Sequence, residues 1–171
     1  MRSDKSALLA FLLPLLLFSM ITGCSSTATN EWTSLFDGRS LDGWKASEHS
    51  ETFRVENGVI VASGERSHLF YVGPNGDASF KNFELEAEVL TKPGANSGIY
   101  FHTAFQNDGW PGKGFEVQLN NSHVGEGNYR ERKKTGSLYG VRNQYKALAK
   151  DDEWFTMNIR VEDKRVQVRV N

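Results

Sequence analysis

The chain has 171 residues, a formal net charge of −1, sixteen glycines, 12% aromatic residues and a single cysteine. That charge balance gives no electrostatic case for a nucleic-acid partner, and one cysteine excludes an internal disulfide framework, so the fold has to rest on its hydrophobic core. Abundant glycine and aromatics with few Leu/Ala-rich runs exclude a helical bundle and point to an all-β domain with many turns.

The N-terminus begins with Arg2 and Lys5, continues through an apolar run over residues 7–20 and reaches Ile21-Thr22-Gly23-Cys24. This is the order of a bacterial secretory signal, and the apolar run is shorter than the ~20 residues of a spanning helix. A small residue directly before Cys24, followed by Ser25-Ser26-Thr27, resembles a lipoprotein signal. The expectation is therefore a signal peptide over residues 1–23, lipidation of Cys24 and a polar tether over 24–33. Membrane contact is then through the N-terminal lipid alone. Ser25 after the cysteine, where no Asp stands, resembles lipoproteins sent on to the outer membrane, which places the domain in the bacterial cell envelope, facing the periplasm or the surface. The remaining stretch, 34–171, is long enough for one domain with a real core.

Residues 30–37, with Trp32, Leu35 and Phe36, read as a first strand, and Asp37-Gly38 and Asp42-Gly43 as turns. Residues 52–55 and 59–62 flank Glu56-Asn57-Gly58, a hairpin signal. A strand over 68–72 and a turn at Pro74-Asn75-Gly76-Asp77 follow. Residues 83–90 alternate, with Phe83, Leu85, Ala87 and Val89 on one face and Glu84, Glu86 and Glu88 on the other, as in a half-buried antiparallel strand. The polar, Gly- and Asn-rich stretch over 120–135 is a long loop, and its basic run Arg130-Glu131-Arg132-Lys133-Lys134 reads as solvated. A short helical turn is expected over 144–149. Residues 153–161 and 165–170 form a last hairpin around Glu162-Asp163-Lys164. Trp44 and Trp154, in strand-like contexts, are expected in the core. Strands of this length, tight turns and one-sided alternation predict two antiparallel sheets packed face to face.

Two stretches carry the functional signal. Asn96-Ser97-Gly98-Ile99-Tyr100-Phe101-His102 and Gly114-Phe115-Glu116-Val117-Gln118-Leu119-Asn120 alternate at strand period. Ile99, Phe101, Phe115, Val117 and Leu119 can then enter a core while Tyr100, His102, Glu116, Gln118 and Asn120 gather on the opposite face. An acid, an imidazole, amides and a phenol together are equipment for holding a sugar, whereas a merely solvated strand face favours Lys, Glu and Thr. Trp110, in a Gly/Pro loop, offers an indole for stacking on a pyranose ring, and Asn96 either binds hydroxyls or caps its turn. Tyr139, in Gly136-Ser137-Leu138-Tyr139-Gly140, is either a site residue or a tyrosine at the core's rim. Glu116 also has a purely structural reading, as a carboxylate bonding loop amides, and His102 one as a surface or packing histidine.

Taken in order, Ser34-Leu35-Phe36-Asp37-Gly38, Leu41-Asp42-Gly43-Trp44, Val55-Glu56-Asn57-Gly58-Val59-Ile60, Asn96 to Phe101, Phe115 to Gln118, Thr135 to Gly140 and Glu153-Trp154-Phe155 resemble the DUF1080 family. This is the 3-keto-disaccharide hydrolase or 3-keto-glucoside 1,2-lyase/hydratase domain. The resemblance implies a concanavalin A-like jelly roll, exported, with a sugar site on its concave sheet. Members of the family usually continue past the strand matching residues 166–171, so a C-terminally truncated form is expected. His102 stands where the family more often has arginine, and Asn120 and Asn121 where an acid is usual, which weakens a metal reading of that loop.

Glycosidases of this sandwich fold place two carboxylates across the scissile bond, but the Glu116 strand supplies one, with Glu88 on a neighbouring strand as a second candidate. A 3-keto sugar, the substrate implied by the resemblance, changes the requirement: the ketone acidifies the C2 hydrogen, so one base and an enolate stabiliser suffice. Under that reading Glu116 is the base, Gln118 and His102 donate to the carbonyl or leaving oxygen, Tyr139 or Tyr100 serves the aglycone side, and Glu88, Asn96, Tyr100, Trp110 and Tyr139 bind the saccharide. A divalent metal polarising the 3-keto oxygen is compatible with the resemblance, although no His-x-His or Cys-x-x-Cys cluster is present. The competing readings are a non-catalytic carbohydrate-binding module of the same fold and a conventional endo-glycosidase.

Overall fold

A computed structural model describes residues 31–171, of which Ser34–Asn171 form one unit. The expected signal peptide, the lipidation of Cys24 and all but the end of the tether lie outside the described residues. Among the described residues there is no α-helix, and none long and apolar enough to cross a membrane.

The strands are β1 (Trp44–Ala46), β2 (Phe53–Glu56), β3 (Val59–Ala62), β4 (Leu69–Tyr71), β5 (Phe83–Val89), β6 (Ser97–Phe101), β7 (Phe115–Leu119), β8 (Phe155–Glu162) and β9 (Arg165–Val170), with one 3-10 turn at Ser50–Thr52. All pairings are antiparallel, in the ladders β1-β4, β2-β3, β5-β8-β9 and β6-β7. Asn57 and Gly58 both have positive φ, 51° and 81°, the conformation a two-residue hairpin turn requires and the reason this sequence turns there.

The core is a two-layer contact. Phe155, Met157, Ile159 and Val161 recur at period two along β8 and point inward, where they meet Val117 and Leu119 of β7 and Phe101 of β6. Phe83, Leu85 and Val89 of β5, Val166, Val168 and Val170 of β9, and Ile99 of β6 close the margins. Val117, Met157 and Ile159 have no exposed surface, and each fully buried side chain of this size contributes about 1.5–3 kcal/mol. The result is the expected all-β jelly-roll sandwich, divided into short ladders rather than two continuous sheets. Beside β7, on the edge away from β6, residues 135–139 run antiparallel as a further line of backbone bonds. Gln118 N–H donates to Ser137 O (2.9 Å), Gly136 N–H to Gln118 O (3.0 Å) and Tyr139 N–H to Glu116 O (2.9 Å).

Four local expectations differ from the structure. Phe115, expected to enter the core, is 42% exposed at the open end of β7, where it stacks on Phe101 at 5.5 Å. Residues 31–37 form no strand: the Leu35 carbonyl accepts the Trp44 indole N–H (2.8 Å), and Asp37 Oδ1 accepts the Arg39 and Ser40 amides (2.7 and 2.8 Å), so side chains take the backbone's partners. Residues 144–149 make bends, not a helical turn, as the Gln144 side chain accepts the Tyr145 amide. Trp154 is exposed, because the register that sends Phe155 inward sends its neighbour out.

Candidate functional site

The β6-β7 register sets Tyr100 directly opposite Glu116 and Gly98 opposite Gln118. On the other flank Leu138 bridges Val117, so Tyr139 stands beside Glu116. Val117 and Leu138 go to the core, and alternation turns Tyr100, Glu116 and Tyr139 to the opposite face in one row across three segments. The Tyr100 hydroxyl donates to Glu116 Oε2 at 3.0 Å. A Cβ at Gly98 would run into the Glu116 carboxyl, so that glycine is what gives the carboxylate its place. Burial pushes the Glu116 carboxyl above its ordinary range; the Tyr100 hydrogen bond and the Lys133 charge pull it back in part, while the negative charge of Glu131 adds to the rise. The Tyr100 hydroxyl is itself pushed well up by burial and by its carboxylate neighbour, so it stays protonated.

Glu131, expected in a solvated basic run, is instead 3% exposed and is the residue that sequence reasoning missed. Its Oε2 accepts the hydroxyls of Tyr129 and Tyr139, the latter at 3.1 Å. Its Oε1 accepts the Lys133 amide at 2.7 Å and lies 3.6 Å from the Lys133 ammonium. That ammonium also sits 4.1 Å from the centre of the Tyr139 ring. Burial alone would raise the Glu131 carboxyl, but the donors from Tyr129, the Lys133 backbone and Tyr139 outweigh it and hold the group below its ordinary value. The one signal available in the sequence was an acid interrupting a basic run. Glu131 becomes buried because the 120–135 loop folds back on itself, with Glu131 N–H donating to Val124 O (3.1 Å). Asn120, fully buried, ties the same loop down by donating to the carbonyls of His123 (3.2 Å) and Lys133 (3.0 Å).

The other expected residues divide. Gln118 is 2% exposed and its amide donates to Asn96 Oδ1 at 2.6 Å, so the pair braces the strand beneath the site. Trp110 is 61% exposed at the rim. Its indole meets the His68 ring edge-on at 5.3 Å, and His68 meets Tyr100 at 5.7 Å, a continuous aromatic wall leading to Glu116. Burial holds the His68 imidazole below its ordinary value. The structure does not bring His102 to Glu116. β6 ends at Phe101, His102 takes a left-handed φ of 53°, and its ring packs against Phe83 and Phe101 while Nε2–H donates to the Lys81 carbonyl (2.8 Å). Nor does it bring Glu88, which accepts the Thr156 hydroxyl (2.6 Å) on the outer face of the β5-β8-β9 sheet. The whole core separates that face from the Glu116 row. A recess of about 540 Å³ beside Leu35, Phe36, Asp42 and Tyr71 contains none of these residues. Among the described residues no group of three or more His, Cys, Asp or Glu side chains converges as a metal site.

Three comparisons bear on this arrangement. A curated protein of Bacteroides thetaiotaomicron, named 3-keto-disaccharide hydrolase, is 32% identical over 77 residues, 41% of this chain and 27% of the relative. The aligned stretch thus spans about a quarter of that relative's length. A crystal structure from Parabacteroides distasonis, described as that of a candidate glycosyl hydrolase, superposes with a TM-score of 0.66 at 24% identity over 81% of this chain and 67% of the other, a likeness of fold. The model of the 3-keto-alpha-glucoside-1,2-lyase-like domain matches residues 31–171. The chain belongs to the family of that domain.

Proposed function

We propose that this protein is a carbohydrate-active enzyme that cleaves 3-keto-glycosides by elimination, with rehydration of the product giving net hydrolysis. The observation that carries this reading is Glu116: a carboxylate raised by burial and set between two tyrosines on one sheet face, while the neighbouring carboxylate, Glu131, is taken up by Tyr129, Tyr139 and Lys133. A base serving near neutral pH gains from such a raised value.

In the proposed reaction Glu116 takes the C2 proton next to the 3-keto group, and the C–H electron pair becomes an enolate. The enolate then re-forms the ketone, makes the C1–C2 double bond and expels the C1 oxygen. The proton now on Glu116 returns to that departing oxygen, so one carboxylate closes the proton balance. Adding water across the double bond in the reverse sense, hydroxyl to C1 and proton to C2, completes net hydrolysis. The Tyr100 hydroxyl and the Lys133 ammonium, both beside Glu116, are the donors available to support the changing negative charge. His102 and Gln118 have partners elsewhere and take no step here. Trp110 gives the sugar an exposed indole to stack on. Within the same reading, Cys24 carries the lipid that holds the domain at the cell envelope.

The test is to incubate the protein with a chromogenic 3-keto-glucoside and with its unoxidised parent, following aglycone release and glucal absorbance for wild type and Glu116→Gln. Release from the keto substrate alone, lost in the variant by orders of magnitude, is the expected result. Sugar binding without release from either substrate would make the protein a binding module. Release from the parent would make it a conventional glycosidase.

A further inference from the structure

Glu131 is a buried carboxylate that the reaction above does not use. Its surroundings are unusual for a loop residue: two phenolic hydroxyls, a backbone N–H and an ammonium converge on one carboxylate that is 3% exposed. Ordering four groups around a desolvated charge is costly, and a loop that needed only to close would do so more cheaply with an apolar side chain. The geometry has a specific chemical result. A phenol has one proton and two lone pairs, and a carboxylate has only lone pairs. Tyr139 Oη lies 3.1 Å from Glu131 Oε2 and 3.1 Å from Tyr129 Oη, and with the Tyr129 proton held by Glu131 both of these inward neighbours can only accept, which commits the Tyr139 proton inward, away from the open face. Tyr129 donates to the same oxygen, so its own proton is also committed to Glu131.

We propose that Glu131 is a positioning residue of this site: it acts through Tyr139, fixing that phenol as a hydrogen-bond acceptor for a hydroxyl of the sugar whose C2 proton Glu116 removes. The inference rests on the reading of Glu116 given above and reassigns Tyr139 from acid to acceptor. It deepens the substrate class as well. The ring at Glu116 has to carry a free hydroxyl on the side facing residues 135–139, and a ring deoxygenated or alkylated there is refused, since a site built to accept an O–H rejects an analogue lacking it. Glu131 also bears on Glu116 through charge. The groups acting on Glu116 are Tyr100 from β6 and Glu131 and Lys133 from the loop, with Tyr139 on the adjoining edge segment. Of these Glu131 is the one that opposes ionisation of Glu116 by its own negative charge.

The experiment has one readout in turnover and one that needs none. In a cycle of Glu131→Gln, Tyr139→Phe and the double variant, each single change should lower kcat/KM on the 3-keto-glucoside by about tenfold to a hundredfold, the range for one hydrogen bond to a charged group. The double variant should be no worse than the weaker single by more than about twofold, because both remove one interaction. Multiplying losses would overturn the proposal. Independently, carbon NMR titration of the glutamate carboxyls, with Glu116 assigned by its loss in Glu116→Gln, should show the Glu116 midpoint falling in Glu131→Gln and unmoved in Tyr139→Phe. A midpoint unmoved in both variants would leave Glu131 as loop packing and refute its role. If the keto substrate is untouched by wild type while the titration behaves as expected, the function proposed above fails and the coupling of Glu131 to Glu116 stands. Circular dichroism on each variant identifies any loss that is merely unfolding.

Discussion

Gly98→Ala isolates the geometry of the site from the stability of the fold. Gly98 has ordinary extended backbone, so alanine meets no conformational strain, and the three atoms its Cβ would meet first all belong to the Glu116 side chain. To make room the Glu116 side chain has to leave its rotamer, at about 0.5–1.5 kcal/mol, and give up the Tyr100 hydrogen bond, worth about 1.5–3 kcal/mol when charge-assisted. Replacing a strand-interior glycine returns about 0.5–1 kcal/mol. The balance leaves the protein folded, destabilised by about 1–4 kcal/mol, the sum of the first two less the third. Turnover should suffer far more, since a base displaced by about 1 Å can cost about a hundredfold. The assay is kcat/KM on a 3-keto-glucoside beside a thermal melt of the same sample. A folded Gly98→Ala protein with wild-type turnover would refute the placement of Glu116 as base.

The pH dependence follows from the direction of the Glu116 shift. Glu116 must be ionised to accept a proton, and burial has raised it, so kcat/KM should fall on the acid side through a midpoint above the ordinary glutamate value, read from a pH–rate profile. The same shift acts on stability: as pH rises from the unfolded to the folded value, the unfolded chain releases its proton first and native stability falls. Glu116→Gln removes that loss and should melt higher than wild type at neutral pH, with the difference vanishing below the ordinary carboxylate range in thermal scans. Trp110→Ala should raise KM by about threefold to tenfold through lost stacking and leave the melting temperature unchanged, since the indole is 61% exposed. His102→Ala should change kcat by no more than about twofold, as expected for an exposed side chain outside the site.

Much of this could be read from local pattern. The Asn57-Gly58 hairpin and the alternation of β5 and β8 depend on neighbours in sequence, and period two put Tyr100 and Glu116 on one face, although the register that sets them opposite each other is visible only in the structure. What escaped depends on distant contacts. Period assigns Glu88 a face but not which sheet, nor which side of the sandwich that face lies on. His102 left the pattern because the strand stopped one residue earlier and the backbone turned left-handed. Glu131 was hidden by its neighbours: in sequence it dilutes a basic run, and only the return of its loop onto Tyr139 removes it from water. Trp154 was misplaced by one position of register.

The line of bonds that residues 135–139 make along β7 also fixes a ruler. Tyr100, Glu116 and Tyr139 belong to three adjacent backbones, and hydrogen bonding holds neighbouring backbones about 4.7–4.9 Å apart whatever side chains they carry. Substitution within the row can alter reach and polarity but never this pitch. Under the function proposed above, a change of glycoside preference therefore has to come from the loops at either end, the Trp110 loop and the 120–135 loop. A redesign of preference on this scaffold begins with those loops and leaves the ladder alone.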